Sequence, residues 1–331
     1  MTGDVRQLVE EAGHETAGRI RAAARLLSLA ENEPERIPEL FAGMAEWPEP
    51  RMVVGLTGQP GSGKSVLTDR LIAGFRARHP DRRVGVIAVD ASSPYTGGAL
   101  LGDRVRMMRH ATDPMVFIRS AASRGHVGGL MLGIRGMVRI MGLAGCDVVL
   151  VETVGVGQSE VEVAEVADLV LVILAPGQGD GIQLLKCGLL EAGDIFVVNK
   201  ADREGADRLA SLLLATLHLT GDGRRHDHPA EVLTVSALKG RGVAELIDLL
   251  EKRCAQERDR WRERRSLAVE EEVRLAVLEE ARRQILHALG NDDAAAEQVR
   301  RILRGEATVT GLVGRLLDTV AREHGAGSER S

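Results

Sequence analysis

The chain has 331 residues, 44% of them apolar, so it can bury a sizeable core as one large domain with helical additions or as two domains. Its net charge of −5 and pI near 6.0 exclude the global basic field that holds nucleic acid or an anionic membrane. The chain starts without an apolar leader, and no apolar run long enough to cross a membrane follows. We therefore expect a soluble, unprocessed protein with no nucleic acid and no membrane among its partners.

The cysteines are few and scattered along the chain. Cys146, Cys187 and Cys254 form no C-x-x-C pair, so the sequence predicts neither a disulfide framework nor a zinc site. This pattern favours a reducing, cytoplasmic compartment, and we expect a bacterial one.

The first fifty residues form a predicted helical lead-in. Apolar residues recur at helical spacing between Val5 and Met44, and Pro48 and Pro50 then interrupt the pattern. Short β-branched runs follow and alternate with helical stretches, as in βαβ units whose strands are covered on both faces. These runs are Met52–Leu56, Val84–Val89, Met115–Ile118, Val148–Val151, Leu169–Leu174, Ile195–Val198 and Val232–Val235. The alternation predicts an α/β fold with a doubly wound, mostly parallel sheet.

A long helical extension is predicted after the last of these strands. No strand pattern appears after Gly242, and Glu245 to about Gly290 indicates one or two long helices. They contain a charged stretch, ERDRWRERR, which we interpret as a solvated helix face, with a docking surface as the alternative. Two shorter helical segments follow. The predicted organisation is a helical lead-in at 1–50, an α/β domain at 51–250, a helical arm at 251–325 and a disordered tail at 326–331.

A glycine-rich loop typical of phosphate binding follows the first strand. Gly58, Gly63, Lys64 and Ser65 match the spacing G-x-x-x-x-G-K-S between a predicted strand and a predicted helix. Backbone N–H groups there cradle phosphates, Lys64 reaches the β- and γ-phosphates, and the Ser65 hydroxyl binds Mg²⁺. The predicted nucleotide-binding residues of the loop are Gly58, Gln59, Pro60, Gly61, Ser62, Gly63, Lys64, Ser65 and Val66. The alternative is a glycine-rich turn that binds no ligand.

Three acidic residues are candidates for the metal side of this site. Glu152 and Asp90 each end an apolar run, and ligands of open α/β sheets bind at the carboxyl ends of strands. Asp103 follows in a polar loop, and with Ser65 these three carboxylates suit the octahedral oxygen array of Mg²⁺. Beyond Glu152, the N–H of Gly155 is expected to sense a γ-phosphate. Helix capping is the alternative for Glu152, and an ion pair with a neighbouring arginine is the alternative for Asp103.

The base-reading residues separate GTP from ATP. Asn199, Lys200 and Asp202 follow a predicted strand as N-K-x-D, the guanine-reading pattern of GTPases. The carboxylate of Asp202 can accept both adjacent donors of guanine, a pair that adenine lacks. One strand later, the segment Ser236, Ala237 and Leu238 is similar to the element that presents a backbone N–H to the guanine O6. We therefore predict GTP and GDP as the nucleotides.

Three segments resemble those of the MeaB/ArgK family of GTPases, namely VDASSPYTGGALLGDRVRM, ETVGVGQSEVEVAEVADL and DIFVVNKAD. The resemblance covers most of the chain and is strongest between Val53 and Asp202. It implies that Lys64 and Ser65 bind phosphate and Mg²⁺, beside an acidic cluster of Asp90, Asp103 and Glu152. It also implies a chaperone of an adenosylcobalamin-dependent acyl-CoA mutase, whose GTP hydrolysis gates cofactor loading or protection, and a homodimer formed through the C-terminal helices.

The resemblance adds candidates in two further loops. The segment APGQGDGIQLLKCG is similar to a loop that responds to nucleotide and partner, which makes Asp180, Gln183 and Lys186 candidates for positioning phosphate or partner. Gln158 resembles a water-positioning glutamine by location. A surface charge or a helix cap is the alternative for Lys186. At the level of function, the alternatives are a metal-insertion GTPase of the hydrogenase or urease type, a transport-associated kinase, and an interaction protein with a vestigial site.

Overall fold

The computed structural model describes residues 3–15, 17–33, 36–40, 49–91, 109–123, 127–153, 159–177, 189–219, 229–291, 297 and 300–314. The strands are β1 (Met52–Thr57), β2 (Arg83–Ala91), β3 (Val116–Ser123), β4 (Cys146–Thr153), β5 (Leu169–Leu174), β6 (Ile195–Val198) and β7 (Glu231–Thr234). The helices are α1 (Gly3–Gly13), α2 (Arg19–Asn32), α3 (Ile37–Leu40), α4 (Lys64–Arg78), α5 (Val127–Leu143), α6 (Ser159–Val166), α7 (Leu189–Ala192), α8 (Ala206–Leu219) and α9 (Val243–Asn291).

The seven strands form one sheet in the order β3-β2-β4-β1-β5-β6-β7. Each neighbouring pair in this part of the chain is parallel. Every β-branched run of the sequence is a strand, and β3 extends five residues beyond the predicted end at Ile118. Strand β1 lies between β4 and β5, so the loop that follows β1 lies where the strand order reverses, the position at which such sheets bind ligands.

Helices cover both faces of the sheet. Strands β1, β5 and β6 are buried at every position, which explains why their sequences are continuously apolar rather than alternating. One apolar cluster joins the sheet to α1, α2, α3, α5 and α6, and a second joins the opposite face to α4 and α9. The predicted doubly wound α/β architecture is therefore confirmed, with the N-terminal helices packed into the same core as the sheet.

Part of α9 packs against the sheet, which corrects one interpretation of the sequence. Within the charged stretch, Trp261 is 1% exposed and Glu257 is 4% exposed, so one side of this helix segment is buried. Arg265 donates from Nε to the Oδ1 of Asp168 at 3.0 Å, and its Nη2 contacts the other carboxylate oxygen. The interpretation of the whole stretch as a solvated face is wrong, because only the opposite side of the helix faces solvent.

Asp168 lies at the amino-terminal edge of the sheet, directly before β5. Its carboxylate is fully buried and accepts the backbone N–H of Val53 at 2.7 Å. Burial disfavours the charged guanidinium of Arg265, but the carboxylates of Asp168 and, to a smaller extent, Glu49 outweigh that cost and raise the pKa of Arg265. In the same way Asp194, directly before β6, accepts the N–H of Val170 at 2.7 Å. Buried carboxylates thus fix the starts of neighbouring strands in register.

Two compact units divide the chain, Met1–Val269 and Glu270–Ser331. The boundary between the two units falls within α9. The domain boundaries predicted from the sequence, at residues 50, 250 and 325, stay predictions. In the second unit α9 continues to Asn291, and short helical segments occur at 300–303 and 309–314. Among the described residues, no helix has the length and apolar character that crossing a membrane requires.

Candidate nucleotide and metal site

The loop between β1 and α4 has a backbone that its glycines make possible. Gly58 has a φ of +135° and Gly63 a φ of +97°, both in the region that side chains disfavour. A Cβ on Gly58 would lie 2.1 Å from the carbonyl oxygen of Ile173, and one on Gly63 would lie 2.3 Å from Nδ2 of Asn199. The loop therefore packs closely on β5 and on the loop after β6, and only glycine fits at both positions.

Lys64 lies inside this loop, at the N-terminus of α4. The residue is buried, with an exposed fraction of 7%. Its Nζ donates to the carbonyl oxygens of Gly58 at 2.6 Å and Gln59 at 3.2 Å. The ammonium group thus lies beside the backbone N–H groups at the start of a helix. Both features favour an anion at this place.

Glu152 joins β4 to the start of α4. Ser65 Oγ donates to its Oε1 at 2.7 Å, and Thr68 Oγ1 donates to its Oε2 at 2.7 Å. All three residues are buried, with exposed fractions of 2% for Glu152, 6% for Ser65 and 0% for Thr68. The sequence predicted Ser65 and Glu152 as a metal-binding pair, and the structure brings them into contact. A hydroxyl and a carboxylate are hard oxygen ligands, so this donor set fits Mg²⁺.

Asn199 connects three loops. Its Nδ2 donates to the carbonyl of Ser62 at 2.9 Å, and its Oδ1 accepts the N–H of Ala237 at 3.0 Å. Lys200 has a φ of +58°, and its Nζ donates to the carbonyl of Gly61 at 2.7 Å. The two residues therefore hold the loop after β6 against the glycine-rich loop on one side and the segment after β7 on the other.

Asp202 is exposed and is held by Ser236. Ser236 Oγ donates to Asp202 Oδ1 at 2.5 Å, and this hydrogen bond is the main reason that the pKa of Asp202 lies below its ordinary value. Ser236 and Ala237 are buried, whereas Leu238 is 72% exposed. The exposed carboxylate is therefore ionised and lies at the rim of the site, next to the segment Ser236–Leu238.

Arg70 is a residue of this region that the motifs did not indicate. From α4 it donates with Nε to the carbonyl of Ala237 and with Nη2 to that of Leu238, both at 2.8 Å. Thr68 was missed for the same reason, since neither residue belongs to a sequence motif. The available signal was their place on α4, one to two turns after Lys64, where side chains can reach the neighbouring loops.

The remaining predicted residues differ in their burial and location. Gln59 and Val66 are half-buried, Pro60 and Gly61 are exposed, and Ser62 is fully buried. Asp90 is the penultimate residue of β2, beside β4 at the same edge of the sheet as Glu152. Six predicted candidates lie outside the described residues: Asp103, Gly155, Gln158, Asp180, Gln183 and Lys186.

The sequence is similar to a family of GTPases and to individual members of related proteins. The sequence model of the family described as Methylmalonyl Co-A mutase-associated GTPase MeaB matches residues 23–289. A putative GTPase of Pyrococcus abyssi is 47% identical over 261 residues, which are 78% of this chain and 80% of that protein. The fused isobutyryl-CoA mutase of Geobacillus kaustophilus is 36% identical over 199 residues, 58% of this chain and 18% of that longer protein.

Among solved structures, one described as LAO/AO transport system kinase has a TM-score of 0.64 with 23% sequence identity. The match covers 97% of this chain and 99% of that one. At this identity the likeness shows a shared fold and nothing about the reaction.

Proposed function

Because the chain belongs to the MeaB family of methylmalonyl-CoA mutase-associated GTPases, we propose that it uses GTP hydrolysis to gate the loading and protection of adenosylcobalamin at an acyl-CoA mutase. The chain is a P-loop GTPase. The observation that carries the nucleotide part of the proposal is the position of Asn199, which joins the loop of Ser62 to the segment of Ala237. The glycine-rich loop and the N-K-x-D loop are thereby held side by side. This arrangement allows one nucleotide to contact the first loop with its phosphates and the second with its guanine base.

We assign the phosphates of GTP to the glycine-rich loop. The loop offers its backbone N–H groups and the N-terminus of α4, and the ammonium of Lys64 is already oriented into it. Ser65 and Glu152 would hold Mg²⁺, with Asp90 and Asp103 as the further acidic residues of that side. When bound, Mg²⁺ supplies positive charge beside the β- and γ-phosphates.

The chemistry assigned to the chain's own groups is electrostatic and positional. Lys64 and the loop amides stabilise charge on the phosphoryl group in the transition state while water attacks in line. Gly155, Gln158 and Lys186 stay predictions for the residues that sense the γ-phosphate and place the water. Asp202 accepts the two donors of the guanine edge, and the segment Ser236–Leu238 offers an N–H to its O6.

The mutase part of the proposal is supported by the fused isobutyryl-CoA mutase, in which a segment related to this chain and a mutase share one polypeptide. A fusion keeps two proteins at high effective concentration, which benefits partners that act together. For this separate chain, the same association would form between free proteins in the cytoplasm. The client is an acyl-CoA mutase of the methylmalonyl-CoA or isobutyryl-CoA type.

An exchange of nucleotide specificity tests the whole proposal. In the variant Asp202→Asn the side chain offers an amide in place of one acceptor, so binding should shift from GTP to xanthosine triphosphate. Transfer of adenosylcobalamin to apo-mutase should then respond to GTP for the wild-type chain and to xanthosine triphosphate for the variant. Absorbance of the cofactor reports the transfer. Transfer that ignores both nucleotides in both proteins would refute the gating role and leave the GTPase assignment intact.

We also propose a homodimer formed through the second unit. In that unit α9 exposes Val273, Val277 and Leu278 by 46%, 62% and 57%, and apolar residues exposed together on a helix favour association. The double variant Val273→Glu and Val277→Glu should convert a dimer into a monomer in light scattering. A wild-type chain that is monomeric at all concentrations would refute this proposal.

A further inference from the structure

Helix α4 presents two hydroxyl groups to the two oxygens of one carboxylate. Ser65 reaches Oε1 of Glu152, and Thr68 reaches Oε2, each at 2.7 Å. The sequence motif accounts for Ser65 and not for Thr68. Thr68 is fully buried and lies one turn after Lys64, on the side of α4 that faces β4.

The hydroxyl of Thr68 is held in place by the helix itself. Its Oγ1 lies 3.1 Å from the carbonyl oxygen of Lys64, the acceptor four residues earlier that threonine commonly uses in helices. The single hydroxyl proton is shared between this carbonyl and the carboxylate of Glu152. The contact with the carboxylate is shorter and its acceptor is charged, so it is the stronger of the two.

We propose that Thr68 is a positioning residue for Mg²⁺, because it fixes one oxygen of Glu152 and thereby keeps the other beside Ser65. The inference rests on the proposed function, in which Ser65 and Glu152 are the metal ligands. Carboxylates that bind metals are themselves hydrogen-bonded, and removal of such a supporting partner weakens metal binding. Thr68 does not touch nucleotide or metal in this role and acts through Glu152.

Three variants separate this role from a structural one. Thr68→Val keeps the shape of the side chain and removes its hydroxyl, whereas Thr68→Ser keeps the hydroxyl. Thr216→Val is the matched control, since Thr216 on α8 donates to the carbonyl of Leu212, four residues earlier, at 2.9 Å. The full-length proteins are compared in the binding of a fluorescent GDP analogue during titration with Mg²⁺.

For Thr68→Val we expect the Mg²⁺ concentration at half-effect to rise by about 10- to 100-fold, with GDP affinity in EDTA unchanged. Thr68→Ser and Thr216→Val should retain the wild-type Mg²⁺ dependence. The inference is overturned if Thr68→Val lowers the melting temperature but keeps that dependence. Glu152→Gln distinguishes the two levels of failure: a loss of Mg²⁺ dependence in this variant, with none in Thr68→Val, removes only the role of Thr68. Indifference of the wild-type protein to Mg²⁺ removes the metal assignment as well.

Discussion

The two edges of the sheet both contain buried carboxylates, but their hydrogen-bond donors differ. At the carboxyl-terminal edge, Glu152 accepts from the hydroxyls of Ser65 and Thr68. At the amino-terminal edge, Asp168 accepts from a backbone N–H of Val53 and from the guanidinium of Arg265. The first carboxylate accepts from hydroxyls, whose oxygens can also bind a cation, and the second accepts from a permanent cation.

This difference separates a binding site from a structural anchor. A buried charge is costly unless it is paired, so Asp168 with Arg265 forms a closed arrangement that has no capacity for a ligand. Glu152 accepts hydrogen bonds from two hydroxyls, which stabilise the carboxylate without cancelling its charge. We therefore expect substitutions at the amino-terminal edge to reduce stability and substitutions at the carboxyl-terminal edge to reduce nucleotide chemistry.

The largest effect is expected for Asp168→Asn, at the amino-terminal edge. The change removes one of the two carboxylates that pair with the guanidinium of Arg265 and leaves Glu49, at 3.0 Å, as the other. Breaking a buried ion pair costs about 3–5 kcal/mol. The unfolding free energy, measured by urea denaturation, should fall by that amount, while kcat for GTP in the folded protein stays near the wild-type value.

An exposed ion pair provides the control for this prediction. Arg78 contacts Asp248 at 2.6 Å, but the side chain of Asp248 is 67% exposed. Asp248→Asn should therefore cost no more than about 1 kcal/mol. Equal losses in the Asp168 and Asp248 variants would contradict the view of Asp168 as an anchor.

The next largest effect is expected for Lys64→Met, at the carboxyl-terminal edge. Removal of the ammonium takes away charge stabilisation in the transition state, and loss of one such group lowers kcat on the order of 100- to 1,000-fold. The unfolding free energy should change far less than in the Asp168 variant. Lys252→Met, at an exposed position of α9, is the control and should leave both quantities unchanged. If Lys64→Met unfolds the protein, the distinction between the two edges fails.

Local sequence signals were sufficient for the carboxyl-terminal edge. Glycine spacing marked the loop before Lys64, N-K-x-D marked Asn199 and Asp202, and continuous β-branched runs marked the strands that carry them. Each of these signals lies within a few residues of chain. Thr68 has no such signal, because its contact with Glu152 spans 84 positions and depends on how α4 packs against β4.

The packing of α9 at the amino-terminal edge was not predicted, because the residues on its buried side include charged ones. Leu250, Cys254, Glu257, Trp261 and Arg265 recur at helical spacing along one side of α9, and this side is the one that packs on the sheet. Two of the five are charged, so their pattern was interpreted as solvated. The contact of Arg265 with Asp168, 97 positions away, supplies the missing reason for their burial.

The third prediction uses Cys146, the first residue of β4, to measure how tightly the amino-terminal edge is closed. Burial raises the pKa of its thiol to about 12. In the unfolded chain the thiol ionises near its ordinary pKa of 9.0, so the stability it contributes is complete below that pH and is lost as the pH rises toward 12. At pH 10 the loss is about 1 kcal/mol. Between pH 8 and pH 10, the unfolding free energy of the wild-type protein should fall by this amount more than that of Cys146→Ala. If the two proteins instead show parallel profiles of unfolding free energy against pH, the amino-terminal edge admits solvent.

The smallest effect is expected for Ser236→Ala, which removes a hydroxyl from a carboxylate at the rim of the nucleotide site. Loss of the hydrogen bond that orients this carboxylate should lower GTP affinity at pH 7 roughly 2- to 12-fold. The hydroxyl of Ser236 lowers the pKa of Asp202, and its removal should raise that pKa toward its ordinary value, as an NMR titration can follow. Asp202 is ionised at pH 7 in both proteins, so a loss of affinity there reports the orientation of the carboxylate and not its charge.

Ser211→Ala, which removes a hydroxyl bonded to the carbonyl of Asp207 on exposed α8, should change neither quantity. Unchanged GTP affinity in Ser236→Ala, despite the shifted pKa, would mean that this hydroxyl tunes the charge of Asp202 without orienting it for guanine.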